Sequence, residues 1–294
     1  MAVSVEVAVD SRSKVGEGAV WDVADGLLWW VDIKQGLIHR YDPECGRNDS
    51  FDFGEPVGCL ARRDAGGLIV ASKSGFHLYD PDTGAREALA DPEADLPGNR
   101  FNAGATDALG RFCAGTMKDD GGPAAQVGRF YRFDPDRTLT THFEPVWTTN
   151  GMTFSPDGRT MYLSDSNPDV RMIWACDYDL DSGTPSNRRE FFDTRAGAGR
   201  PDGGTVDADG CYWMAGVGGA QLVRITPEGD IDRVIDMPVE KPTKPMFGGP
   251  GLDTLFVTSI GAGYEDDPDQ PHAGSLFAVT GLGVTGVPQS RFMG

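Results

Sequence analysis

Short apolar runs alternate with polar, glycine-containing turns along almost the whole chain. The stretch TNGMTFSPDGRTMYLSD, from Thr149 to Asp165, shows the unit: a polar entry, a short apolar strand, a Pro-Asp-Gly turn and a second strand. The same order restarts at Gly16, Val57, Arg100, Arg200 and Thr243, which makes six copies. Each first strand ends in a turn, at Gly26, Gly67, Gly110, Gly158, Gly210 or Gly251. The second strands are aromatic or β-branched: LLWWVD, LIVAS, RFCAGT, TMYLSD, CYWMAG and TLFVTS. Such residues suit a pleated, half-buried surface. A third strand closes on an aspartate- or glycine-rich turn, as in HLYDPDTG, and a fourth lies in the connector, as in NDSFDF or REFFDT. No segment carries a convincing 3.6-residue period.

Four short strands per repeat of about 40 to 50 residues is the blade of a β-propeller. A pair of β-sandwiches could use similar turns, but six units in one register argue against it. The sequence therefore predicts an all-β, six-bladed β-propeller with four-stranded blades around a central channel, in a single domain over residues 1–294. The N-terminal strand AVSVEVAVD is expected to complete the last blade and close the ring. Trp29, Trp30, Trp174 and Trp213 fall on strands and read as packing between blades.

In this architecture the first strand of each blade lines the channel. Counting back about eight or nine residues from each turn glycine reaches Glu17, Gly58, Asn102, Asn150, Asp202 and the pair Thr243/Lys244. Most blades thus offer a polar residue at the channel mouth. Glu17, Asn150 and Asp202 are two carboxylates and an amide, oxygen ligands that suit a hard divalent cation. Three such ligands leave positions for water and substrate. The alternative is that these side chains cap strand ends through backbone hydrogen bonds.

Composition narrows the function classes. The formal net charge of −19, with no basic cluster to offset it, disfavours nucleic acid and anionic membranes as partners. Five widely spaced cysteines without a CxxC pair read as free thiols in a reducing, cytoplasmic setting. The N-terminus lacks a signal-peptide pattern, and no run is apolar enough to span a membrane. His39, His77, His142 and His272 show no zinc spacing, and no GxSxG elbow is present. The GxGxxG match at Gly281–Gly286 has no room for the helix and second strand of a dinucleotide fold, so it reads as chance. The acidic run at residues 265–269 reads as a solvated loop within the last unit.

The segments GEGAVWD, NRFNAGATDALGRFCAGTM, TNGMTFSPDGRTMYLSDS, RPDGGTVDADGCYWMA and TKPMFGGPGLDTLFVT resemble those of the regucalcin, gluconolactonase and luciferin-regenerating-enzyme family, most of all its bacterial sugar-lactonase branch. The resemblance spans nearly the whole chain, from the first unit to the sixth. It implies one divalent ion (Ca²⁺, Zn²⁺, Mg²⁺, Mn²⁺ or Fe²⁺) held by Glu17, Asn150 and Asp202. It implies that Arg100 and Asn102 contact substrate, and that Asp202 is the general acid/base. There are two departures. Asn102-Ala103-Gly104 stands where the family reads N-D-G, and no single residue of the loop at 118–122 aligns with a substrate-contacting Glu of some relatives.

The chemistry expected on this basis is metal-dependent hydrolysis of an aldonolactone such as glucono-, xylono- or arabinolactone. Asp202 would take the proton of the attacking water and return it to the ring oxygen. Arg100 would serve sugar hydroxyls and the developing oxyanion. The expected partner is a small sugar lactone, and the protein is expected to be a monomer or weak oligomer. The competing readings are a non-catalytic propeller that binds metal or protein, and a hydrolase of another ester such as an organophosphate.

Overall fold

The computed structural model describes residues 2–294. It is a ring of six antiparallel sheets, each of four strands. Blade 1 contains β2 (Gly16–Asp22), β3 (Leu27–Asp32), β4 (Leu37–Asp42) and β5 (Arg47–Asp52). Blade 2 contains β6 (Val57–Arg62), β7 (Leu68–Ser72), β8 (Gly75–Tyr79) and β9 (Arg86–Ala90). Blade 3 contains β10 (Asn99–Thr106), β11 (Phe112–Lys118), β12 (Gly128–Phe133) and β13 (Leu139–Val146). Blade 4 contains β14 (Thr149–Phe154), β15 (Thr160–Asp165), β16 (Met172–Asp179) and β17 (Thr184–Asp193). Blade 5 contains β18 (Arg200–Val206), β19 (Tyr212–Val217), β20 (Gln221–Ile225) and β21 (Ile231–Asp236).

Blade 6 contains β22 (Pro242–Gly248), β23 (Thr254–Ser259) and β24 (Leu276–Thr280). Its outer strand is β1 (Ser4–Val9), which pairs antiparallel with β24 from Ser4↔Thr280 to Val9↔Leu276. The N-terminal strand closes the ring as its alternating pattern predicts, and the four-strand unit holds throughout. Among the described residues the only helical turn is 3₁₀, at Thr194–Ala196, and no helix is long and apolar enough to cross a membrane.

The turn glycines behave as expected with one difference. Gly26, Gly67, Gly110, Gly158 and Gly210 have φ between +65° and +84°, where a side chain would be strained. In blade 6 this role passes to Gly249 (φ +82°) and Leu252 (φ +52°), because the turn there is longer and Gly251 is not left-handed.

Each of the six seams between blades holds its own apolar cluster. Trp29 packs between blades 1 and 2, Trp30 between blades 6 and 1, and Trp213 between blades 5 and 6. Trp174 leans on the seam of blades 3 and 4. Wide aromatic side chains fill the wedge that opens between radial sheets, each contributing about 1.5–3 kcal/mol on burial. His39 belongs to this scaffold. It stacks on Trp30 at 4.6 Å, its Nδ1 lies 2.9 Å from Ser50 Oγ, and burial pushes its pKa down to about 4.

Candidate active site

The innermost strands begin at the same end of the ring, so their opening residues meet there. Glu17 on β2, Asn102 on β10, Asn150 on β14 and Asp202 on β18 are all buried, though all are polar. Blade 2 contributes no side chain. At Gly58 a Cβ would lie 2.3 Å from the backbone of Phe101, so the neighbouring strand occupies that space. Gly18 and Gly151, which follow Glu17 and Asn150, have φ of +61° and +63°. A Cβ on Gly151 would also come within 2.6 Å of Ser164 Oγ. The Glu-Gly and Asn-Gly pairs are thus tight bends that aim the first residue inward.

A relay of contacts fixes the ring. Asn150 Nδ2 donates to Ser166 Oγ at 2.8 Å, and Ser166 Oγ donates to the carbonyl of Pro201, beside Asp202. Asn102 Nδ2 donates to Asn150 Oδ1 at 3.1 Å and to Thr149 O at 2.8 Å. Asn150 therefore keeps its amide on the Ser166 side and its oxygen on the Asn102 side. Glu17 Oε2 accepts from the Gly18 amide at 2.8 Å, while Glu17 Oε1 is buried with no hydrogen-bond partner. Buried polar atoms normally have a partner, and an orphan calls for one.

The buried carboxylates of Glu17 and Asp202 act directly on one another's charge. Burial, and then the charge of Glu17, raises Asp202 well above the usual carboxylate range. Burial also raises Glu17, against the pull of the Gly18 amide and of the Lys244 charge. Two carboxylates forced together out of water either hold a proton or hold a cation. Among the described residues no group of three His, Cys, Asp or Glu forms a metal cluster. The third oxygen here is an amide, and the all-oxygen donor set, with an unsatisfied Glu17 Oε1, fits a hard divalent ion.

Above this layer, two residues up the same strand face, stand Arg100 and Arg200. Arg100 Nη1 donates to Asn102 Oδ1 at 2.7 Å, and its Nε donates to Asp119 Oδ2 at 2.5 Å. Lys34 from blade 1 meets the same carboxylate at 2.7 Å. Asp119 is therefore the residue of the 118–122 loop that reaches the mouth, whereas Asp120 turns back on Gly122 and Lys118. The Arg200 charge is felt at Asp202. Ala103 is buried in β10 and carries no polar group toward the pocket.

The pattern described as the SMP-30/Gluconolactonase/LRE-like region matches residues 15–261. The chain belongs to this family. It is 36% identical to 6-deoxy-6-sulfogluconolactonase of Pseudomonas putida over 99% of each chain. It is 35% identical to regucalcin of Xenopus laevis over 100% of this chain and 99% of that one. A crystal structure of a calcium-binding protein, regucalcin, from Agrobacterium tumefaciens superposes with a TM-score of 0.91 at 29% identity, covering 98% of this chain and 97% of that one.

Three residues of the site escape a reading by repeat register alone. Arg200 sits one period-2 step above Asp202, and the match with Arg100 above Asn102 could have revealed it. Ser166 and Asp119 follow strand ends, where no periodicity marks them. At blade 6 the register reaches the pair Thr243/Lys244 without choosing between them, and it is Lys244 whose ammonium meets the Gly204 carbonyl.

Proposed function

We propose that the protein hydrolyses a sugar lactone, an aldonolactone, to the aldonic acid. The observation that carries this reading is the buried Glu17–Asp202 pair, with Asn150 and an unpartnered Glu17 Oε1, at the mouth of a polar channel. The relatives named for gluconolactonase activity and for calcium binding agree with it.

A divalent ion held by Glu17, Asn150 and Asp202 would supply a Lewis acid for the lactone carbonyl. Asp202 is the proton carrier: with the ion bound it is ionised, takes a proton from the attacking water and delivers it to the ring oxygen. Arg100 and Arg200 offer forked donors to sugar hydroxyls and to the charge developing on the carbonyl oxygen. Asn102 is engaged on both sides, by Arg100 and by Asn150, so it transmits the position of one to the other. Lys34 and Asp119 brace Arg100 at the rim. The five free cysteines fit a reducing, cytoplasmic setting.

The test is a panel of glucono-, xylono- and arabinolactone followed by acid release, before and after chelation. Hydrolysis should vanish with the chelator and return with a divalent salt. Undiminished turnover after chelation would remove the metal from the reading. Arg200→Gln should raise KM about ten- to a hundredfold, the worth of hydrogen bonds to a charged group, with a smaller change in kcat. An unchanged KM would remove Arg200 from substrate binding.

A further inference from the structure

Lys244 is the one charged side chain of the channel that the proposed chemistry does not use. It lies on β22, buried in the wall beneath the acidic layer. Its stem crosses Gly203, the residue after Asp202. A Cβ there would come within 2.7 Å of Lys244 Cδ and 2.8 Å of its Cα, so glycine is what lets the chain pass. The backbone around it is pinned: Lys244 N donates to Thr258 Oγ1 at 3.1 Å, and Thr243 Oγ1 donates to Gly16 O at 2.5 Å, next to Glu17.

The ammonium donates to the carbonyl of Gly204. Glu17 and Asp202 act on it through space and not as contacts. Below it the channel narrows to a void of about 10 Å³, lined by Leu60, Met152, Met246 and the tail residues Gln289 and Ser290. That is room for about one water molecule. Among the described residues the ammonium's one hydrogen bond is to the Gly204 carbonyl, and the charges of Glu17 and Asp202 act on it from the layer above. Burial lowers the Lys244 pKa to about 8, against the raising effect of Glu17, Cys59 and Asp202.

We propose that Lys244 is a resident counter-cation of the channel: it offsets the Glu17–Asp202 charge when no divalent ion is bound and weakens the hold on that ion when one is. A buried charge left without an opposite is strongly destabilising, and a fixed cation near a cation site repels the second arrival. The site would then stay folded empty and release its ion readily. This inference rests on the reading of Glu17, Asn150 and Asp202 as the ion's ligands.

The test is calorimetric titration of Ca²⁺ and of Mn²⁺, each alone, into chelator-stripped wild type and Lys244→Met, with Tm measured on the same samples. Lys244→Met should bind roughly ten- to a hundredfold tighter, as expected for removing a unit charge several ångströms from a divalent ion across a partly buried path. Its ion-free Tm should fall. The Glu17→Gln/Lys244→Met double variant should recover that fall, because neutralising one carboxylate removes the need for a counter-charge; a merely structural lysine would give no recovery. Lys244→Gln, which keeps a donor for the Gly204 carbonyl, serves if Lys244→Met does not fold without ion. Equal or weaker ion binding in both variants, or no recovery in the double variant, overturns the proposal. No ion binding by the wild type would sink the ligand reading instead, so the two failures are separable.

Discussion

Asp202→Asn should cut kcat/KM for the best lactone by about 10³- to 10⁴-fold, near the upper range for loss of a positioned general acid–base. The substitution is nearly isosteric, so Ser166, Asn150 and the β18 backbone keep their places. What it removes is the charge and the exchangeable proton. Its effect on folding should run the other way. In the ion-free protein two buried carboxylates face one another, and burial already raises both. An amide at 202 can donate to Glu17 and ends the repulsion, so the ion-free Tm should hold or rise. A site that destabilises the fold and serves the reaction shows this trade. Divalent affinity should drop at the same time, since one of three oxygens loses its charge. Lactone hydrolysis at the wild-type rate by purified Asp202→Asn would dismiss Asp202 as the proton carrier.

The sequence and the structure meet most closely where one physical constraint repeats. A left-handed glycine after a short apolar strand marks a turn wherever it occurs, and five of the six turns follow it. Because the blades share one register, residues far apart in the chain, such as Glu17 and Asp202, fall at equivalent depths. That equivalence is what makes the acidic layer legible without coordinates. It gives out at blade 6, where the count reaches two neighbouring residues. On β22 Lys244 crosses toward Gly204, while its neighbour Thr243 turns its hydroxyl to Gly16. It gives out again in loops. Asp119 and Asp120 are adjacent and chemically identical, and only the three-dimensional path of the segment after β11 decides which one meets Arg100.

The C-terminal segment has no period to read. The match GLGVTG suggests a nucleotide loop only to a pattern search; in space it starts a strap that crosses the end of the ring opposite the acidic layer. Gly286 rests on Phe247, where a Cβ would come within 2.1 Å of the ring's own Cβ. Thr285 O accepts from Ala208 in blade 5, and Gly286 N donates to Leu252 O in blade 6. Arg291 then pairs with Asp22 of blade 1 at 2.7 Å. In this way one irregular segment ties together blades that are distant along the chain.

Phe292→Ala should be strongly destabilising, costing about 3–5 kcal/mol. The side chain is 1% exposed and enters the seam of blades 2 and 3, with its ring 6.1 Å from that of Phe133. Its backbone is held on both sides: Phe292 N donates to Arg62 O at 2.8 Å, and Phe292 O accepts from Asp64 N at 2.9 Å. Met293 N reaches Gly110 O in blade 3 at 3.1 Å, and Arg63 Nε donates to Gly294 O at 2.8 Å. Truncation leaves a cavity that rigid sheets on both sides cannot collapse to fill, and it loosens the anchor of the strap. At 2–4 °C per kcal/mol for a protein of this size, Tm should fall by roughly 10 °C. Arg291→Ala should cost less, because Asp22 keeps Arg62 as a partner at 2.8 Å. Thermal and urea denaturation of the two variants against wild type decide the matter. A fall below about 1 kcal/mol for Phe292→Ala would mean that the ring holds without its strap, and that closure rests on β1 alone.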